Sequence, residues 1–158
     1  MSLYEGADVE SGSVQITPTD AAQIASALDQ ADLSDDQKMW FVRAQRDEQC
    51  LYFSIRADRV LIGQVLLHDI DTAKHEAMVG YHIFQPSQRG RGFGTEALTA
   101  LCAYAFGRMG IRRLVAITSL DNMPSRRIAA KCGFRELGAA REGPHLVVYE
   151  RLATLTPS

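Results

Sequence analysis

A strand that runs into a cluster of glycines and then straight into a long amphipathic helix is the feature that most narrows what this chain can fold into. Met78 to Phe84 reads as a strand closed by Gln85-Pro86, because proline lacks the N–H that a sheet ladder needs. Gly90-Arg-Gly-Phe-Gly94 follows at once. From Thr95 to Met109, residues Ala97, Leu98, Leu101, Cys102, Ala105, Phe106 and Met109 recur at three- and four-residue intervals, the stripe of one helix face, and Gly110 supplies a stop. The first N–H groups of such a helix have no partner within it. They form an anion site wherever glycines let a phosphate approach, and the helix dipole adds to the attraction. Arg89 and Arg91 contribute formal charge. A tight connection without a ligand has the same composition, so the turn alone does not choose between the two. A P-loop needs Lys then Ser or Thr after its last glycine, whereas Gly94 is followed by Thr95-Glu96. A dinucleotide fingerprint needs G-x-G-x-x-G and an acid about 20 residues on, where this chain has G-x-G-x-G and then Arg112-Arg113.

The rest of the chain supplies strands and helices around this unit. Ser13 to Thr17 alternates like a short strand, and Asp20-Ala-Ala-Gln23 has capping-box spacing for a helix through Ile24 and Leu28. A second box, Ser34-Asp-Asp-Gln37, opens a helix through Met39, Trp40 and Val42. Leu51, Phe53 and Ile55 alternate, and Val60 to Leu67 is a nearly continuous apolar run, so two paired strands joined at Ala57-Asp58 are expected. Arg113 to Ser119 reads as a strand, Pro124 to Lys131 as a short helix closed by Gly133, and Val147 to Leu152 as a final strand. Residues 1–12, rich in Gly, Ser, Asp and Glu, read as a flexible tail or the approach to an edge strand. The 158 residues suit one domain, placed at 13–158, with a mixed sheet flanked by helices.

Bulk charge and cysteine usage exclude several function classes. A net charge of -2 provides no field that recruits nucleic acid or an anionic membrane. Cys50, Cys102 and Cys132 have no C-x-x-C spacing and no histidine cluster near them, so no metal site is expected and the thiols read as free. The amino terminus lacks the basic and apolar regions of a secretory signal, and no apolar run is long enough to span a bilayer. The cytoplasm is the expected compartment.

Two segments carry a specific resemblance. Gly80-Tyr-His-Ile-Phe-Gln-Pro-Ser-Gln-Arg-Gly-Arg-Gly-Phe-Gly-Thr-Glu-Ala-Leu98 resembles the acetyl-CoA signature of the GCN5-related N-acetyltransferases (GNAT), with Arg89, Gly92 and Gly94 on the pattern Q/R-x-x-G-x-G/A. Downstream, Asn122-Met-Pro-Ser-Arg-Arg-Ile-Ala-Ala-Lys-Cys-Gly-Phe134 resembles the corresponding segment of the RimJ/RimL-like branch, which acetylates protein amino termini and small amines. The resemblance covers roughly Val60 to Leu152. It implies an α/β (α+β) acyl-CoA N-acyltransferase fold: a central, mostly antiparallel twisted sheet, flanked by helices, in which one parallel strand pair splays apart.

The same resemblance implies a chemistry. The pantetheine arm of acetyl-CoA is expected in the gap between Met78–Phe84 and Leu114–Ser119, bonded by backbone groups of Ile83 and Phe84, with an N–H there facing the thioester carbonyl. The diphosphate falls to Arg89, Gly90, Arg91, Gly92, Phe93, Gly94 and Thr95. Asn122 is a pantetheine ligand or a plain helix cap. Ser125 sits near the sulfur or caps the helix. Many relatives use a tyrosine in this helix as general acid, but the matching position is Ala129; Tyr149 is an alternative from the last strand, or a packing residue. Relatives commonly carry Glu-Gly after the Gly-Phe pair, where this chain has Leu137-Gly138. An amine is mostly ammonium at neutral pH and must lose a proton before it attacks. Glu76, His82 and Glu142 are the candidate bases, each with a surface or structural role as the alternative. Cys132 has no base arranged to make it a nucleophile. The early helices contribute Asp29, Asp32, Asp35, Asp36, Trp40 and Phe41 to an acceptor wall, or simply to a solvated surface. The implied activity is acetyl transfer from acetyl-CoA directly to a primary amine, a protein amino terminus or a small molecule, by a monomer or homodimer. A catalytically silent acyl-CoA sensor of the same fold and a different nucleotide-phosphate binder are the alternatives.

Overall fold

A computed structural model describes residues 9–11, 14–18, 34–36, 38–39 and 49–154. Eight strands form one sheet: β1 (Val9–Ser11), β2 (Val14–Pro18), β3 (Leu51–Ala57), β4 (Val60–Asp71), β5 (Glu76–Ile83), β6 (Arg113–Ser119), β7 (Arg135–Ala140) and β8 (Gly143–Leu152). Helix α1 (Phe93–Gly107) joins β5 to β6, and helix α2 (Met123–Lys131) joins β6 to β7. The spatial order is β1-β2-β3-β4-β5-β6-β8-β7, and every neighbouring pair is antiparallel except β5 with β6. A parallel pair needs a crossover, and α1 provides it. Within the 1–12 stretch, Val9–Ser11 forms the edge strand itself.

The elements arise where the residue pattern places them. Asp58 and Arg59 both have positive φ (49° and 67°), the geometry of a two-residue hairpin turn between β3 and β4. Helix α1 buries Ala97, Leu98, Leu101, Cys102 and Ala105, and full burial of a leucine stabilises by about 1.5–3 kcal/mol. Its regular turns stop at Gly107, two residues before the expected end. Ile111 N then donates to Ala105 O at 3.0 Å around Gly110, whose φ is 70°, a left-handed helix termination. Tyr104, outside the expected stripe, is also buried, and packs edge-on against Phe53 with ring centroids 5.3 Å apart. Lys38 N bonds Ser34 O at 3.0 Å, the first turn of the helix expected at the second capping box. The first box, and with it Asp29, Asp32, Trp40 and Phe41, lies outside the described residues. No helix among the described residues is long and apolar enough to cross a membrane.

Candidate active site where β5 and β6 part

Strands β5 and β6 pair only at Glu76↔Arg113, Ala77↔Leu114 and Met78↔Val115. Beyond that rung β5 runs on to Ile83 beside β4, and β6 runs on to Ser119 beside β8, so the two diverge. A cavity of about 340 Å³ occupies the fork. Met78, Gly80 and His82 border it together with Val79 and Tyr81. Because successive strand residues face opposite sides, β5 contributes to this lining residues from both faces of the sheet. Ala116, Ile117 and Thr118 of β6, Asn122, Ser125 and Ala129 around α2, and Tyr149 of β8 complete its walls with His68 of β4.

The backbone phase of β5 follows from one bond: Phe84 N donates to Ile62 O at 2.9 Å. Alternation along the ladder then turns the N–H and C=O of Tyr81 and the N–H of Ile83 toward the fork. The Phe84 N–H is therefore spent on β4 and turned away from the fork. The Ile83 carbonyl is also engaged, by Nε (3.1 Å) and Nη2 (3.0 Å) of Arg89. Arg89 thus acts as a strut that ties the glycine turn to the end of β5. A charged hydrogen bond of this kind contributes about 1.5–3 kcal/mol.

The turn itself has the expected geometry. Gly90 and Gly92 have φ of 73° and 84°, and Gly92 is the residue from which α1 starts, with no side-chain cap on the helix. Glu96 N is the first to find an intrahelical acceptor, Gly92 O at 3.0 Å. The amides of Phe93, Gly94 and Thr95 precede it at the open end of the helix. Arg91 donates to Gln88 Oε1 at 3.0 Å and stacks 4.9 Å above the Phe93 ring. Gly94 has a packing duty: a Cβ there would sit 2.9 Å from Ile128 Cδ1 of α2. The Thr95 carbonyl accepts from Thr99 Oγ1 at 2.8 Å.

On α2, Asn122 accepts from Ser125 N at 3.2 Å through Oδ1, so its capping role is real, while the residue also lines the cavity. Tyr81 donates its hydroxyl to the Ser125 carbonyl at 2.9 Å and lies 3.0 Å from Ser125 Oγ. A tyrosine has one hydroxyl hydrogen, so when the carbonyl takes it, the short contact to Oγ is made by the serine's own hydrogen. Burial pushes the Tyr81 hydroxyl up to about 12, against a smaller lowering by the Ser125 hydrogen bond, so the phenol keeps its proton. No local pattern announces this contact, since its two residues are 44 apart.

The remaining candidates separate. Tyr149 lines the cavity with its ring, but its hydroxyl donates to Glu136 Oε1 (3.1 Å) and accepts from Arg126 Nε (3.0 Å). Arg126 Nη2 reaches the same carboxylate at 2.7 Å, and these bonds, the arginine's foremost, hold the Glu136 carboxyl below its ordinary range. His82 lines the cavity beside Phe84, with Nε2 3.5 Å from Arg89 Nη2. Glu76 does not border the cavity: it stands at the closed end of the fork, 3.7 Å from Arg113. Glu142 is exposed in the β7–β8 turn and also lies outside the lining. Cys132 is buried, its thiol pushed up by desolvation and directed at the Thr95 carbonyl 3.4 Å away, the opposite of an activated nucleophile. No group of three metal-ligating side chains occurs among the described residues.

Against known proteins, residues 8–135 match the family model described as an acetyltransferase (GNAT) domain. The chain belongs to the GNAT acetyltransferase family. YdaF of Bacillus subtilis (strain 168), provisionally named a ribosomal N-acetyltransferase, is 34% identical over 86 residues, 54% of this chain and 46% of YdaF. The match thus spans about half of that relative's length. Among solved structures, RimL, the ribosomal L7/L12 α-N-protein acetyltransferase, in complex with coenzyme A superposes with a TM-score of 0.74 at 18% identity over 92% of this chain and 98% of RimL. RimJ of Mycobacterium smegmatis with a coenzyme A disulfide gives 0.73 at 19% over 93% and 86%. These two likenesses concern the fold, and they agree with the RimJ/RimL-like resemblance of Asn122 to Phe134.

Proposed function

We propose that this GNAT domain transfers an acetyl group from acetyl-CoA directly to a primary amine, carried by a protein amino terminus or by a small molecule, in the cytoplasm. The observation that carries the reading is the cavity at the β5–β6 fork, together with an uncapped helix terminus behind two left-handed glycines on the connection that leaves β5. Acetyl-CoA supplies the acyl group as a thioester already activated toward an amine. The turn fits its diphosphate: the first amides of α1 and the backbone of Gly90 to Gly94 offer donors, and no side chain caps them. Tyr81 and Ile83 present backbone groups to the fork for the amides of the pantetheine arm, and Asn122 borders the same space. Ser125 lines the cavity, and its hydroxyl is suited to donate a hydrogen bond to a departing sulfur when Tyr81 gives its own hydrogen to Oγ rather than to the Ser125 carbonyl.

The test has two arms. Calorimetric titration with coenzyme A, ATP and NAD reads the cofactor. Thiol release from acetyl-CoA in the presence of an alanyl peptide with a free amino terminus, spermidine and an aminoglycoside reads transfer, with mass spectrometry locating the acetyl group. Binding of coenzyme A alone with acetylation of at least one amine is the expected outcome. Tight binding without any acetylation assigns the protein to the silent-sensor alternative.

A further inference from the structure

Because β5 and β6 share only a short ladder, the sheet consists of two parts, β1 to β5 and β6-β8-β7, joined narrowly at the closed end of the fork. Helix α2 is bonded to both. From β5, the Tyr81 hydroxyl lies 2.9 Å from the Ser125 carbonyl and 3.0 Å from Ser125 Oγ. The next residue, Arg126, reaches the other part. Its Nε donates to the Tyr149 hydroxyl of β8 at 3.0 Å, and its Nη2 to Glu136 Oε1 of β7 at 2.7 Å. Nη1 donates to the Leu120 carbonyl, just past the end of β6, at 2.9 Å. The Tyr149 hydroxyl closes the circuit by donating to the same Glu136 oxygen at 3.1 Å. Consecutive residues of a helix project about 100° apart, which lets neighbours on α2 serve opposite edges of the fork. Both anchoring rings, Tyr81 and Tyr149, line the cavity, as does Ser125 between them.

We infer that Arg126 is a positioning residue for acyl transfer: its bonds to Tyr149, Glu136 and Leu120 complete a strap, from Tyr81 through Ser125 and Arg126 to Tyr149, that fixes the separation of the two edges of the fork. The assignment rests on the acyl-transfer reading. Stability alone accounts poorly for the arrangement, because an exposed ion pair contributes little and the Glu136 side chain is 48% exposed. A planar guanidinium with all three nitrogens engaged instead fixes direction. Reacting groups displaced by about 1 Å can lose on the order of 10²-fold in rate, so a strap at the cavity acts on the transfer step. It acts little on carrier affinity, because its bonds run to β5, β7, β8 and the β6–α2 connection and not to the glycine turn.

The experiment uses the full chain with Arg126→Met, Arg126→Ala, Glu136→Gln and Tyr149→Phe. Proton–nitrogen spectra of the free protein are expected to show an Arg126 Nε–H signal that moves in Tyr149→Phe; a signal that stays in place overturns the strap without reference to activity. With the alanyl peptide and spermidine as acceptors, Arg126→Met is expected to lower the single-turnover rate at saturating acetyl-CoA by at least about tenfold. Coenzyme A affinity, read by calorimetry, should stay within a few-fold. Guanidinium ion, added well below the concentration that unfolds the protein, should restore part of the rate to Arg126→Ala. Glu136→Gln, a milder change at an exposed position, should lower the rate in the same direction by a smaller factor. Rates close to wild type in both Arg126→Met and Glu136→Gln overturn the assignment alone, as does a loss shared equally by rate and coenzyme A affinity, the mark of a general fold defect. Wild-type protein that binds coenzyme A and acetylates neither amine overturns the transfer reading, and this assignment with it.

Discussion

Alanine at Gly92 and alanine at Gly107 should change stability in opposite directions, although both glycines belong to the same helix. Among the described residues a Cβ at either position would meet nothing within 4 Å, so packing against them does not enter. Gly92 has φ of 84°, and an L-residue in the left-handed region costs about 1–2 kcal/mol. Alanine also stiffens the unfolded chain, which returns about 0.4–1 kcal/mol. The net is a loss of roughly 1 kcal/mol at Gly92. Gly107 is the last residue of α1 and has no positive φ, so there alanine gains up to about 0.5–1 kcal/mol. The two variants should therefore differ by roughly 2 kcal/mol, or about 4–8 °C in Tm for a chain of this size. Thermal and urea unfolding followed by far-UV circular dichroism measure this. A Gly92→Ala protein as stable as Gly107→Ala would refute the left-handed turn, and with it the geometry on which the anion site depends. Coenzyme A affinity measured on the same folded variants adds a second reading, because on the proposed reading Gly92 lies beside the diphosphate and Gly107, at the far end of the helix, does not.

Ser125→Ala should slow turnover at saturating acetyl-CoA while leaving coenzyme A affinity within a few-fold, and Tyr81→Phe should reproduce part of that loss; additive effects in the double variant would deny that the two hydroxyls act together. Gln64 is fully buried with neither amide atom bonded, so Gln64→Met should stabilise the fold by about 1–3 kcal/mol, read from urea midpoints. The Glu150 carboxyl is held below its ordinary 4.5 by hydrogen bonds from Arg113 first and Arg135 second, with Arg113 Nε at 2.6 Å. A depressed carboxyl contributes stability that is complete above 4.5 and is lost as pH falls through the folded value. Arg113→Met should therefore be less stable than wild type at neutral pH, and the gap should narrow in urea titrations run progressively below pH 4.5.

The glycine turn, α1 and the cap at Asn122 were legible because each is local: a stripe of apolar residues, a stop glycine and an Asn three residues ahead of Ser125 all sit within a few turns of chain. The strand pair that parts was legible only through family resemblance, since nothing in the residues of β5 or β6 says where pairing ends. Arg89 looked like a phosphate ligand from composition, and its engagement of the Ile83 carbonyl depends on the chain reversing between Phe84 and Gly90. Tyr81 and Ser125 meet across the fork, at a separation no periodicity reports. The contact between His68 and Asp69 was not legible because alternation sends Asp69 to the other face, and the slipped register that brings the two together has no glycine or proline to announce it. Glu76 and Glu142 were plausible by residue type alone, and position removed both from the cavity wall.

The cavity at the fork draws its walls from β5 residues that point to opposite sides of the sheet. On the proposed reading, a long carrier and an acceptor meet at their reactive ends in that space without either having to depart first. Initial-rate plots at several fixed carrier concentrations should accordingly give intersecting lines, the pattern of a ternary complex, where a covalent relay through the protein would give parallel ones.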